Sequence, residues 1–166
     1  MRVGVIADTH GQLRPEVLET FQEVDRILHG GDIGGEHILD ALEAIAPVIA
    51  VYGNTDGAAL RARCPRVAAV EIDDLNFVVT HGDQFGSPTP GALHEAYPTA
   101  DVIVFGHTHR PLLELVDKTV TVMNPGAAGP RRFDILPSVG IMELEAGLPP
   151  RARLVPLTGD GRRETS

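Results

Sequence analysis

The feature that most constrains this chain is a recurrence. Five short segments rich in Asp, Asn and His, each with a glycine in or beside it, close successive apolar runs. They read Asp8-Thr9-His10, Gly30-Gly31-Asp32, Gly53-Asn54-Thr55-Asp56, His81-Gly82-Asp83 and Gly106-His107-Thr108-His109. The preceding runs are short and β-branched, so each segment falls where a predicted strand ends. In open α/β sheets, loops at the carboxyl ends of strands converge, and ligands bind there.

The pattern between the segments sets the fold class. Residues 2–7 predict a buried first strand and 15–24 a helix opened by Pro15, with Val17, Leu18 and Phe21 at helical spacing. Residues 26–29 predict a strand, 38–45 a second helix ended near Pro47, and 48–52 a third strand. This alternation requires parallel strands joined by crossovers, hence an α/β fold. The second half is richer in strands. Residues 67–72 and 77–80 flank Asp73-Asp74-Leu75-Asn76, and 112–116 and 119–123 flank Asp117-Lys118, both with hairpin character. Residues 101–105, 138–144 and 151–157 complete the predicted strands. One domain over 1–157 is expected, with polar residues 158–166 as a mobile tail.

Composition narrows the partners. A formal charge of −9 over 166 residues argues against a nucleic-acid backbone as partner. No apolar run approaches the roughly 18–20 residues of a membrane span. Asp8 interrupts the first apolar run before a signal-peptide core can form. Cys64 is the single cysteine, so an intrachain disulfide is excluded. The expectation is a cytoplasmic protein acting on a small molecule, away from membranes, with a homo-oligomer compatible with the sequence.

Seven residues in the five segments carry metal-ligand chemistry: Asp8, His10, Asp32, Asn54, His81, His107 and His109. Asp-x-His and His-x-His each set two ligands on one side of an extended segment. Mixed carboxylate, amide and imidazole donors suit Mn, Fe, Zn, Ni or Co better than Mg or Ca. Seven donors exceed one ion's needs, so two divalent transition metals are expected, manganese foremost. Such a pair hydrolyses phosphate esters. Taken singly, each segment also reads as turn chemistry or a helix cap; their order and common position at strand ends favour the metal reading. His29 is expected to point into the sheet, and His37 and His94 to lie on helix surfaces. Cys64 reads as a small packed side chain. Arg131 and Arg132 are within sequence reach of a substrate phosphate, Arg131 being the substrate-binding candidate, or are solvated loop charges.

The ordered set Asp-x-His, Gly-Gly-Asp, Gly-Asn-x-Asp, His-Gly and Gly-His-Thr-His resembles the calcineurin-like metallophosphoesterase superfamily. The short length and Asn124-Pro125-Gly126 resemble its small single-domain prokaryotic phosphodiesterase branch. The resemblance implies an α/β/β/α sandwich of two packed mixed sheets flanked by helices. It places Asp8, His10, Asp32 and His109 on one metal and Asp32, Asn54, His81 and His107 on the other, Asp32 bridging. A metal-bridging hydroxide would then attack a phosphate diester in line with the leaving group. Asn54 and Asp56 are the catalytic candidates, Asp56 by orienting a ligand or a loop. Two positions depart from the wider pattern: Thr55 stands where many relatives have a leaving-group-protonating His, and Ala127 where small relatives often have Ser. A phosphomonoesterase or phosphoprotein phosphatase is the alternative on the same site. A non-catalytic scaffold, like the retromer subunit of this fold, is the other; there ligand histidines are replaced, whereas here all are present.

Overall fold

The computed structural model of the chain describes residues 1–132 and 134–157. In order these form β1 (Arg2–Ile6), α1 (Pro15–Thr20), β2 (Arg26–His29), α2 (Glu36–Glu43), β3 (Val48–Ala50), α3 (Ala58–Arg63) and β4 (Val67–Ile72). There follow β5 (Leu75–Thr80), α4 (Pro90–Ala96), β6 (Val102–Val104), β7 (Leu112–Val116), β8 (Val120–Asn124), β9 (Ser138–Glu143) and β10 (Arg151–Pro156). Two five-stranded sheets result, ordered β10-β9-β1-β2-β3 and β4-β5-β6-β8-β7. Each has a parallel centre, β1-β2-β3 in one and β5-β6-β8 in the other, extended by antiparallel strands.

Three apolar layers hold the sandwich together. Val17, Ile38, Leu39 and Leu42 from α1 and α2 cover Ile6 and Ile27 on the outside of the first sheet. Val3, Val5 and Leu28 meet Phe77, Val79, Val102 and Val104 between the sheets. Val78 and Ile103 point the other way and pack under Leu93 of α4. Alternation of Val102, Ile103 and Val104 between two cores is the two-residue period of a strand buried on both faces. The expected α/β/β/α sandwich is the fold.

The boundaries differ in ways that have physical causes. The first helix was expected to run to 24 but stops at Thr20, where Phe21 leaves helical geometry (φ −94°, ψ 10°). Its ring lies against Gly4, where a Cβ would stand 2.8 Å away. The third strand ends at Ala50 because the Tyr52 N–H turns to the Pro65 carbonyl at 3.1 Å. Helix α3 had no visible signal, since only Leu60 of its six residues is buried. Both hairpins turn on two residues with positive φ, Asp73-Asp74 (49° and 66°) and Asp117-Lys118 (50° and 63°). That hand matches the twist of the flanking strands. The tail expected over 158–166 lies outside the described residues. No described helix is long and apolar enough to cross a membrane.

Candidate metal centre

Strands β1, β2 and β3 of one sheet and β5 and β6 of the other bring their motif loops to one place. Backbone bonds lock these loops together. The Asp8 N–H donates to the Gly31 carbonyl at 2.9 Å, the His10 N–H to Asp32 at 3.0 Å and the Gly106 N–H to His81 at 3.1 Å. Across the sheets, the His107 N–H donates to Oδ2 of Asp8 at 3.2 Å. Glycine is required where loops touch most closely: a Cβ on Gly53 would collide with Asp32, both its Oδ1 and its backbone nitrogen.

Two overlapping groups of ligand atoms result. Asp8, His10 and His109 form one, and Asp8, Asp32 and His81 the other, with the atoms of each within 4.8 Å of one another. The Nε2 atoms of His10 and His109 face each other at 3.3 Å, and Oδ1 of Asp8 is 3.4 Å from the latter. Oδ2 of Asp32 stands between the groups, 3.8 Å from Nε2 of His10 and 3.3 Å from Nε2 of His81. His107, an expected ligand, flanks this cluster without entering either group. The His107 ring lies 5.2 Å from that of His81. Asn54 is exposed, and its carbonyl is held by Arg61 at 3.4 Å.

Charge and hydrogen bonding fit a cation. Oδ1 of Asp8 is buried without a hydrogen-bond partner, and Nε2 of His81, also buried, faces Oδ2 of Asp32 at 3.3 Å. An orphaned group such as the first costs about 1–3 kcal/mol unless something compensates it. Nδ1 of His81 lies 2.8 Å from the Gly30 carbonyl, so it carries the proton and turns the Nε2 lone pair toward the cluster. That is the orientation of a metal-ligating imidazole. Burial lowers the proton affinity of His10, with Asp32 and Asp8 offsetting part of it. Burial opposes ionisation of Asp32 as well. The His81 ring and the Thr55 N–H, 3.0 Å from Oδ1, outweigh it and hold the carboxyl well below the usual range. Burial opposes a charge on the His81 ring as well, but Asp32 and Asp8 outweigh it and raise its proton affinity. A metal there would displace a proton, since a carboxylate and a neutral imidazole are the forms that bind.

The backbone is strained at these residues. Asp8, His10, Asp32, His107 and His109 have φ of 52°, 46°, 54°, 71° and 62°. Positive φ in residues with a Cβ is uncommon and clusters at functional sites.

A family model described as the calcineurin-like phosphoesterase superfamily domain matches residues 1–147. This chain belongs to that superfamily. A probable metallophosphoesterase of Methanocaldococcus jannaschii is 34% identical over 165 residues, spanning 95% of this chain and 82% of that protein. A phosphodiesterase of the same organism is 32% identical over 162 residues, spanning 87% of this chain and 94% of its own length. Among solved structures, Vps29 of Entamoeba histolytica complexed with zinc superposes with a TM-score of 0.74 at 22% identity, covering 95% of this chain and 99% of that one. Vps29 of Chaetomium thermophilum gives 0.76 at 16% identity, covering 94% and 97%. These two likenesses are of fold.

Within this family framework, Asp56 is a staple and does not face the cluster. Its carboxylate accepts from the N–H groups of Ile33 at 3.1 Å, Gly34 at 3.0 Å and Gly53 at 2.8 Å, tying the second motif loop to the third. The orienting role expected of it is thus toward loops. Asp56→Ala should cost about 2–4 kcal/mol by leaving those donors unmet, and Asp56→Asn less, as read by denaturant unfolding.

Four supports were not visible in the sequence. Arg61 donates to the Asp56 carbonyl at 2.7 Å and lies 4.7 Å over the Tyr52 ring. Asn124 donates to the Gly106 carbonyl and to Thr108, both at 3.0 Å, bracing the Gly-His-Thr-His loop. Buried Arg14 donates to the Gly129 carbonyl at 3.1 Å. Thr9 and His29 form a strut beneath the first two motifs. His29 accepts the Gly31 N–H at 3.1 Å, its Nε2 meets the Thr9 hydroxyl at 3.0 Å, and that hydroxyl donates to Ile33 at 2.7 Å. His37 is exposed, His94 pairs with Asp117 at 3.2 Å, and Cys64 is buried. Arg131, Arg132 and Ala127 line a cleft beside His109.

The strut makes the fold sensitive to acid. Burial, reinforced by His81, pushes His29 down to about 3 from 6.5. Above pH 6.5 both folded and unfolded chains hold it neutral. Between about 6.5 and 3 only the unfolded chain takes up the proton, so stability falls as pH drops. In chelator, the chain should lose about 2 kcal/mol from this group between pH 7 and 5, and His29→Gln should remove that component of the slope.

Proposed function

We propose that this chain is a dinuclear metal-dependent phosphodiesterase. The observation that carries the reading is the position of Oδ2 of Asp32, which faces His10 of one ligand group and His81 of the other. Asp8, His10 and His109 would hold one ion. His81, with His107 and Asn54 beside it, would hold the second, and Asp32 would serve both. Divalent cations there supply Lewis acidity toward phosphoryl oxygens and a lowered pKa for water, the requirements of in-line displacement at phosphorus. Manganese is the expected ion, with Ni, Co, Zn or Fe as alternatives.

The chain's own residues favour a diester anion. Asp8 and Asp32 offset two of four cationic charges, leaving a positive excess for one phosphate charge. Thr55 offers no imidazole to protonate a leaving oxygen, so esters whose alcohol departs unaided are preferred. Arg131 and Arg132 add positive charge on the His109 side. The phosphodiesterase name of one relative at 32% identity supports the diester over the monoester.

The test is reconstitution with each metal, followed by metal analysis and assay on matched aryl diesters and monoesters. Two ions per chain and faster diester cleavage are expected. A firm stoichiometry of one with full activity would remove the dinuclear mechanism. No turnover with any of the metals would return the chain to the scaffold reading.

A further inference from the structure

A groove beside the metal centre enters the chemistry above only through Thr55. It is open, holds about 340 Å³, and runs between the loop before α2 and the start of α3, along Gly34, Gly35, Thr55, Ala58, Ala59 and Leu60. Thr55 joins it to the centre, because its N–H donates to Oδ1 of Asp32 at 3.0 Å. Its floor is the buried Leu60 and its walls are small, largely apolar and exposed, room for one flat group laid against them.

The charges around the groove say what kind of ligand. Its two ionisable side chains, Glu36 and Asp56, are engaged elsewhere. Asp56 accepts three backbone N–H bonds, and Glu36 pairs with Arg63 at 3.3 Å. Among the described residues no Lys, Arg or His lines it, whereas the cleft beside His109 is lined by Arg131 and Arg132. A second phosphate or a carboxylate would meet Glu36 and Asp56 here and would have to compete for Arg63, which Glu36, Asp40 and Glu43 already hold. An uncharged organic group needs no cation.

We infer that this groove seats the leaving arm of the phosphate diester, an uncharged aryl or alkyl group laid from the metal centre across Thr55 onto Gly57 and Ala59. The inference rests on the diester reading above and adds the chemistry of one ester group. Apolar contact on one arm contributes to discrimination between diesters of different size, and a few buried carbons suffice for tenfold or more.

Gly57 allows the groove to be filled without disturbing the backbone, since a Cβ there meets nothing within 4 Å. Ala59 is exposed on α3, so a larger side chain is tolerated there too. Gly57→Leu and Ala59→Trp would be assayed, manganese-loaded, on two methyl diesters whose leaving phenols are of similar acidity but different size, methyl 4-methylumbelliferyl phosphate and methyl 4-cyanophenyl phosphate. The ratio of kcat/KM for the first over the second should fall about tenfold or more, mainly through KM. In a second measurement, phenol is titrated into metal-free protein. It should shift the amides of Gly35, Gly57 and Ala59 in the parent chain and not in Gly57→Leu. An unchanged ratio in both variants, or phenol shifts confined to other residues, would overturn the inference. Seated phenol with no turnover of either diester would support the groove as a site for neutral aryl groups and overturn the reaction proposed above.

Discussion

Asp32→Asn is expected to lower metal-dependent turnover about 10³-fold or more and to leave the metal-free fold intact. The substitution is nearly isosteric. Asn keeps an oxygen to accept the Thr55 N–H that Asp32 now accepts at 3.0 Å. It also tolerates the positive φ of 54° at this position. What it loses is the charge that faces both ligand groups. The ions contribute several kcal/mol to the transition state, and each 1.36 kcal/mol is a factor of ten. Metal analysis should show fewer than two ions. His10→Asn should do less harm, because His10 belongs to one group while Asp32 faces imidazoles of both. Stability in chelator should fall while the chain stays folded, since the His81 ring and the Thr55 N–H favour the charged carboxyl more than burial opposes it. Equal, small losses for the two variants would show that the bridge lies elsewhere.

Thr55→His should raise turnover of diesters with poor leaving groups by about 10²-fold, while changing activated aryl diesters little. General acid catalysis contributes about 10²–10⁴-fold, and a hydroxyl at this position is too weak an acid to supply it at neutral pH. Thr55 is exposed, so an imidazole can be accommodated, and its backbone bond to Asp32 does not depend on the side chain. The parent enzyme should accordingly show a steep dependence of rate on leaving-group pKa. The variant should flatten it and add an acidic limb to the pH profile. A flat series in the parent, with chemistry shown to be rate-limiting, would mean that another group already donates the proton.

The residues that make the centre were legible because their chemistry is concentrated. Asp8, His10, Asp32, His81 and His109 sit at strand ends read from short apolar runs, and the structure brings them within a few ångströms. His107 was read with the same weight and lies beside His81, outside both groups. The supports were not legible, since they join residues far apart by single hydrogen bonds that leave no periodicity. Arg14 reaches Gly129, and Asp56 reaches Ile33. Thr9 and His29 looked like part of a cap and a sheet-facing ring, although together they brace the first two loops from below. Helix α3 escaped because one buried Leu makes no stripe.

The positive φ angles of Asp8, His10, Asp32, His107 and His109 bear on how this family of sequences can drift. Each such residue costs on the order of 1–3 kcal/mol that glycine would recover in part. Under selection for heat resistance alone, with catalysis unscreened, these five positions would therefore change early, toward Gly or Asn, while the three cores stayed as they are. Survivors would keep the sandwich and lose their metal.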